Sequence, residues 1–492
     1  MLFQRSIALI YLIAFASLFP QLKALFAVDG ISPISRIVEQ TSFSQLPSLF
    51  QFASSDRSLQ LFCILGLLLS ALLSLRWIQG KYLRAFLFFA IYLLYISFVN
   101  TGGVFLSFQW DALLLETGFL VIVYELARGN RLTEKISVYL FWVLIFKLMF
   151  MSGLVKLSSG DLTWTNLTAL EYHYQTQPLP NLLSIYFHHL PAWFHYFSCI
   201  IMFCIELIVP FFIFFGKRMR HVAGLSFILL QLLIILTGNY CFFNLLTIVL
   251  CFPLLDFGRL KLIQLKIFKN SEEIMVSNSG LEGFLGIGAP ARTYSKWLRF
   301  LALTLLIIYS SVSLIHVLER SGLDLAPVTR ASNTYLKTFG RYYLNNPYGL
   351  FTVMTTKRYE IVFQGANDIP GQLAKSAWED YEFKYKPGAL DRVPAQIAPF
   401  QPRLDWQMWF AALSSYRNNP WLIKLAVKLL QDDKETLKSF SKNPYEDKAP
   451  QYVRALIYEY KFAETGKDNI WARELKGLYL PQISLRRQSN RI

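Results

Sequence analysis

Long apolar blocks separated by short polar links dominate the first two thirds of the chain. A helix that crosses a bilayer needs about 20 mostly apolar residues. Nine stretches approach that length: Ser6–Val28, Leu59–Ile78, Ala85–Val99, Val104–Tyr124, Ile136–Leu157, Trp193–Phe215, Val222–Leu236, Tyr240–Leu255 and Trp297–Leu318. The pattern then changes. Tyr359, Ile361 and Phe363 alternate with polar residues, and so do Tyr381, Phe383 and Tyr385, which end at Pro387-Gly388. Period-two alternation closed by a turn predicts half-buried strands, and these two segments are expected to pair. Tyr452–Phe462 alternates as well. Between them, Leu404–Ser414 and Pro420–Leu430 carry helical spacing, with Pro420 suited to a first helical turn. The expected fold is a polytopic α-helical membrane protein of about nine spans with a C-terminal α+β extramembrane domain. Residues 1–323 would form the transmembrane part, with an external loop at 158–192, and residues 324–492 the second domain.

Composition supports this division. Hydrophobic residues make up 54% of the 492 positions and charged residues 16%, too few for a large soluble enzyme. The net charge of +16 is no sign of nucleic acid, because no polybasic tract or RNA-binding motif accompanies it. Instead the basic residues sort by loop. Arg76, Lys81 and Arg84 follow the second stretch, and Arg128, Arg131 and Lys135 follow the fourth. Lys217, Arg218 and Arg220 follow the sixth, and Arg259, Lys261, Lys266, Lys269, Arg292 and Lys296 follow the eighth. The alternate loops are nearly bare, Arg36 and Arg57 excepted. Positive charge accumulates on the cytoplasmic side, so the N-terminus is expected there. The C-terminal domain is then periplasmic or luminal. Five cysteines (Cys63, Cys199, Cys204, Cys241 and Cys251) lie in or beside apolar blocks and form no CxxC pattern, as expected of small buried residues.

Chemistry concentrates in the basic-free loop. Trp164, Glu171, His173, Tyr174, Gln177, Pro178, His188 and His189 stand there, and four of the six histidines lie between positions 173 and 195. Three readings compete. Glu171 and His173 are candidates for an acid/base pair, but their spacing of two brings them to one side only on an extended backbone. His188, His189 and His195 with Glu171 lack any strong metal-ligand spacing, so no metal is assigned. The third reading is a belt of polar aromatics and imidazoles at headgroup depth, with 182–189 as a short interfacial helix. Asp111, Glu116, Lys147, Glu206, Asn239 and Asn244 are polar positions within the apolar stretches. Ionisable groups there must face the bundle or a cavity. Asp111 and Glu116 sit about 140° apart around a helix, so each needs its own partner. No nucleophile elbow, P-loop or dinucleotide fingerprint is present, and no cofactor is expected.

Several blocks bear a resemblance. They are Leu162-Thr163-Trp164, Leu167–Leu170, Tyr172-His173-Tyr174, Thr176–Asn181, His188–Pro191, Leu236–Thr247, Tyr348–Phe351, Trp378–Pro387, Arg403–Leu413 and Asn419-Pro420-Trp421. Together they resemble the lipase maturation factor family in order and over most of the chain from about Trp110 to Leu485. The family pattern Asn-Thr-Tyr-Gly is replaced here by Asn346-Pro347-Tyr348-Gly349. The resemblance implies a membrane-bound folding factor rather than an enzyme, since characterised animal members help secreted lipases assemble in the endoplasmic reticulum. Its expected partners are the bilayer and a secreted lipase or other exported client. A bacterial inner-membrane member is the expectation, or an endoplasmic reticulum protein in a eukaryote. The resemblance carries over no catalytic residues. Trp378, Trp406 and Trp409 are the expected aromatic anchors for a client. The alternative is a membrane enzyme using Glu171 and His173 on a lipid or exported protein.

Overall fold

The computed structural model describes residues 2–255, 296–322, 326–367, 378–464 and 469–485, with side chains undescribed at 296–299. Seven of the nine expected stretches are helices long and apolar enough to cross a membrane. The first is α1 (Leu2–Leu18), which continues through a tight turn to Phe26. It is followed by α2 (Asp56–Ser74), α3 (Lys81–Thr101), α4 (Gln109–Ala127) and α5 (Arg131–Ser158). The loop 158–192 holds α6 (Ala169–Thr176) and α7 (Leu182–His188), the latter at the place expected for a short helix. Next come α8 (Ala192–Phe203), α9 (Lys217–Thr237), α10 (Phe243–Leu250), α11 (Lys296–Glu319) and α12 (Ala326–Phe339).

The two remaining stretches differ for separate reasons. Helix α4 has 19 residues, enough for a span, but carries three carboxylates: Asp111, Glu116 and Glu125, all fully buried. It lies inside the bundle rather than against lipid. Helix α10 with its following turn covers only Phe243–Leu254, too short to cross, and most of it is buried. The basic residues 259–292 lie outside the described residues.

Local chemistry sets the helix ends. Asn130 accepts from the amides of Leu132 and Thr133 to start α5, and Ser55 accepts from Ser58 to start α2. Asn181 and Ser184 form a reciprocal capping box on α7. Helix α1 is central. Its Tyr11 and Phe15 meet Tyr95 edge to face at 5.7 and 5.2 Å, and Tyr11 donates to the Leu114 carbonyl at 3.1 Å. Only glycine fits at position 118 of α4, because an added Cβ would lie 2.1 Å from the Tyr11 hydroxyl. Helix α8 ends in one π turn, Cys204–Ile208, and then a 3-10 stretch containing Pro210. The wider turn carries Glu206. Four of the cysteines are buried as expected, while Cys204 is exposed on this irregular segment.

The C-terminal part has a four-stranded antiparallel sheet in the order β2-β1-β5-β6. The strands are β1 (Arg358–Ala366), β2 (Glu379–Asp380), β5 (Tyr452–Phe462) and β6 (Trp471–Ile483). A small second sheet pairs β3 (Glu382–Phe383) with β4 (Phe440–Lys442). Helices α13 (Arg403–Ala412) and α14 (Trp421–Leu430) pack beside the larger sheet. Strand β1 pairs with β5 along its whole length, from Arg358 opposite Tyr460 to Ala366 opposite Tyr452.

Sequence alternation at 381–385 had suggested continued pairing with β1. Glu379 and Asp380 pair there, Tyr381 donates one more bond to the Phe363 carbonyl at 2.9 Å, and the chain then crosses to β4. The buried Asp405 carboxylate accepts from the amides of Tyr385 and Lys386, both at 2.9 Å, and holds the chain just beyond β3. Among the described residues β6 pairs only with β5. That pairing has three register shifts, and β6 contains Gly477 and Pro481.

Candidate functional site

The polar positions expected within the apolar stretches are all partnered, and Asp111, Glu116, Lys147 and Asn239 draw partners from the C-terminal part. Glu116 of α4 is 2.7 Å from the Lys147 ammonium of α5. Its two oxygens also accept from Tyr309 (2.5 Å), Tyr348 (2.6 Å), the Asn346 amide nitrogen (2.8 Å) and the Asn346 side chain (2.9 Å). Lys147 donates a second bond to the Asn345 side chain at 2.5 Å. Glu116, Lys147, Asn345 and Asn346 are all buried. The strap 345–348 therefore reaches into the bundle and completes the coordination of one carboxylate and one ammonium.

A second pair fastens α13. Arg403 grips Asp111 with both terminal nitrogens at 3.1 Å and donates to the Phe105 carbonyl at 2.7 Å. Tyr95 donates to the same carboxylate at 2.5 Å. Both charged side chains are fully buried. Asp111 and Glu116 thus have separate cations, as their angular separation required. Glu206 pairs with Lys156 at 2.6 Å, and that ammonium also lies 5.4 Å from the Trp164 ring. At another part of the bundle Glu125 joins Arg84 and Arg128, each at 2.7 Å. Asn244 donates to Gln231 at 2.7 Å.

The loop 158–192 is stitched to the same C-terminal part. Asp161 accepts from the Met354 amide at 2.6 Å, and Trp164 donates to the Phe351 carbonyl at 3.0 Å. Gln177 donates to the Thr237 carbonyl and accepts from Tyr240 at 2.8 Å. Arg358 of β1 donates to the carbonyls of Gln175, Gln177 and Pro178. Its charge, and that of Lys386, is balanced by Glu360 at 2.5 and 2.8 Å. Asn239 donates to the Ala395 carbonyl and accepts from the amides of Ile397 and Ala398.

The expected site residues are therefore dispersed. Glu171 and His173 lie on helix α6, where residues two apart diverge, so they form no acid/base pair. His173 stacks parallel to Tyr240, is ringed by Tyr174 and Phe351, and lies 3.3 Å from the Tyr240 hydroxyl. His188 donates to the Glu171 backbone carbonyl and packs on Phe462, while His189 meets the Ile185 carbonyl. Among the described residues no three His, Cys, Asp or Glu side chains are grouped to hold a metal. Trp406 is buried against Trp110, Phe108 and Tyr240, and Trp409 donates to the Thr176 carbonyl. These two are internal fastenings rather than open anchors. Trp378 is half-buried and stacks on the Arg454 guanidinium at 3.9 Å. Sequence reasoning missed Arg403, Arg358, Asn345 and Tyr348 as partners. The only signal was their presence in or near the family-like blocks.

Burial holds His173 at about 4, below its ordinary 6.5, and the Lys156 charge adds to this. Burial likewise holds His188 at about 4, reinforced by His189 and His195 and opposed by the Glu171 carbonyl. The unfolded loop therefore binds protons that the folded loop refuses between pH 6.5 and 4. The stability contributed by the neutral rings is intact above 6.5 and is lost as pH falls toward 4. Asp405 acts in the opposite sense. Burial lifts it to about 6 against the amide bonds from Lys386 and Tyr385, so its contribution is lost as pH rises through 6. A readout local to the loop separates the two. Proteolytic cleavage within 158–192 is expected to accelerate as pH falls from 6.5 to 4, and His173→Gln to flatten that slope. An identical slope in the variant would remove His173 from this account.

A polytopic helical bundle whose carboxylates are completed by an α+β C-terminal part is an integral membrane protein built as one interlocked unit. Residues 1–261 match the lipase maturation factor transmembrane domain, and residues 344–481 match the lipase maturation factor C-terminal domain. The second match begins at the strap that enters the bundle. The chain is 34% identical to lipase maturation factor 1 of Bos taurus, over 98% of this chain and 88% of that one. It is also 34% identical to lipase maturation factor 1 of Homo sapiens, over 98% and 87%. Against lipase maturation factor 2 of Xenopus tropicalis the identity is again 34%, over 97% and 81%. The chain belongs to the lipase maturation factor family. No solved structure matches it.

Proposed function

We infer that this protein is a membrane-embedded maturation factor for exported proteins, a secreted lipase foremost, and that it acts by binding rather than by catalysis. The observation that carries this reading is the family likeness along nearly the whole chain, spanning both the bundle and the C-terminal domain. The relatives are named maturation factors, which does not favour the enzyme alternative. The dispersal of Glu171 from His173 argues the same way. In this reading 1–323 anchor the molecule and 324–492 meet the client. The loop histidines, Gln177 and Asn239 hold the two parts in register. The alternation of basic loops supports a cytoplasmic N-terminus and a C-terminal domain in the periplasm, or in the lumen of the endoplasmic reticulum if the host is eukaryotic.

The test is the specific activity of a secreted host lipase, activity per mass of protein, in a deletion strain. Deletion is expected to lower it severalfold, and both wild type and His173→Ala to restore it at equal membrane levels. Unchanged activity on deletion would sink the lipase reading. Restoration by wild type alone would return catalysis or ligand binding to the loop. In the same cells, protease added outside the membrane should cleave the C-terminal domain, and protection would reverse the orientation.

A further inference from the structure

A cleft of about 140 Å³ opens in the C-terminal domain where the strand after Asp380 leaves the larger sheet for the smaller one. Its origin is topological: β2 stays on β1, β3 goes to β4, and the gap between the two sheets is not filled. The floor is apolar, with Val362 and Phe383. The polar lining is Asp380, Glu382, Lys386, Lys442 and Arg473. Most of these charges are matched: Asp380 by Arg473 at 3.2 Å, Lys386 by Glu360 at 2.8 Å, and Glu382 by Arg392 at 3.9 Å. Exposed Lys442 at the rim has no ion pair among the described residues. A cation beside an apolar floor suits a carboxylate-bearing apolar segment.

The surroundings fit a polypeptide better than a small solute. The register sets Val362 opposite Leu456 and Leu456 opposite Leu478, so an aliphatic row runs from the cleft across three strands, buried at Val362 and Leu456 and open at Leu478. Leu478 and Leu475 are 57% and 55% exposed, unusual for an extramembrane sheet. Arginine and aromatic pairs flank the row: Arg454 on Trp378 at 3.9 Å and Arg473 on Tyr458 at 4.5 Å. Arginine, tryptophan and tyrosine are the residue types enriched at the centres of protein interfaces. From Glu319 onward 26 Lys and Arg stand against 18 Asp and Glu, a balance that attracts acidic chains.

We propose that this cleft, with the exposed Leu475 and Leu478 of β6 beside it, forms the client-binding surface, which takes an acidic, apolar segment of a partly folded polypeptide. The proposal rests on the maturation-factor reading and names the site at which it operates. Gly388 gives a clean way to close the cleft. It lines the cavity, and a Cβ there would meet nothing nearer than 3.5 Å. Gly388→Phe is therefore directed into the cleft from a position with room for a Cβ.

The experiment uses the full chain in detergent micelles and fluorescent reduced, carboxymethylated α-lactalbumin, an acidic chain that cannot refold. Binding is read by anisotropy. Gly388→Phe and Lys442→Glu are each expected to weaken binding at least tenfold, and Lys442→Arg to retain it. Lys337→Glu makes the same charge change on α12 and is expected to leave binding intact. Absence of binding by wild type, wild-type affinity in both cleft variants, or an equal loss in Lys337→Glu overturns the proposal. The secreted-lipase assay separates the two ideas. If deletion lowers lipase activity while the cleft variants bind normally, the cleft is wrong and the maturation reading stands. If the cleft variants lose binding while deletion leaves lipase activity unchanged, the surface stands and the lipase reading falls.

Discussion

Replacing Glu116 by alanine is expected to destabilise the protein by about 3–5 kcal/mol, because it strands a buried ammonium. Lys147 has no exposure and would keep only the Asn345 side chain among its close partners. Tyr309, Tyr348 and the Asn346 amide would lose their acceptor at the same time. The strap should then leave the bundle, so proteolysis between 340 and 352 should speed up before the helices unfold. Lys147→Met should be comparably harmful, since it leaves the carboxylate unneutralised. The double change Glu116→Leu with Lys147→Met should be milder than either single change, because no buried charge remains. It should still fall short of wild type, as two tyrosine hydroxyls lack a partner. Strictly additive losses in thermal unfolding would contradict the pairing.

Arg403→Ala is the second large effect expected. The guanidinium is the only described cation that grips Asp111, and it does so through two parallel bonds while a third reaches the Phe105 carbonyl. Lysine cannot reproduce that fork, so Arg403→Lys should fare little better than alanine. Hydrogen exchange in 403–412 should accelerate by roughly 100-fold in both, the equivalent of about 3 kcal/mol of local protection. Exchange in β5, on the far side of its pairing with β1, should change much less. Uniform acceleration throughout the C-terminal part would mean that Arg403 holds the whole domain rather than α13. Unchanged exchange at 403–412 would mean that it holds neither.

The spanning helices were legible because bilayer thickness imposes length and apolarity directly on the sequence. Strand β5 was legible because Tyr452–Phe462 alternates at both ends, although the run Ala455–Tyr458 interrupts the pattern and neighbouring residues are buried together at 455–456 and 459–460. The strand at 381–385 misled because alternation reports a strand but not its neighbour. A carboxylate at Asp405, twenty positions away, holds the amides that follow the switch to β4. The polar residues in the bundle announced that partners must exist, and the spacing of Asp111 and Glu116 announced two of them. Their identities were hidden by distance along the chain: Arg403 lies 292 residues from Asp111, and Asn346 lies 230 from Glu116. The loop at 158–192 was read as candidate chemistry because histidines cluster there. Helical geometry in α6 and backbone-directed bonds from Gln177 and Arg358 make it a seam instead. Trp406 illustrates the general difficulty, since a tryptophan inside a junction and one awaiting a partner look alike in sequence.

The outer edge of β6 has a consequence for life in a crowded membrane. Thirteen residues of strand would ordinarily be a template on which further chains could add. Three register shifts, a proline and a glycine break that template into pieces too short and too twisted to recruit a continuous strand. Copies confined to two dimensions collide often, and each would meet unfinished chains whose own edges are unpaired. An edge so broken withholds a continuous backbone ladder from any chain that meets it. It is protected against becoming the seed of a mixed filament.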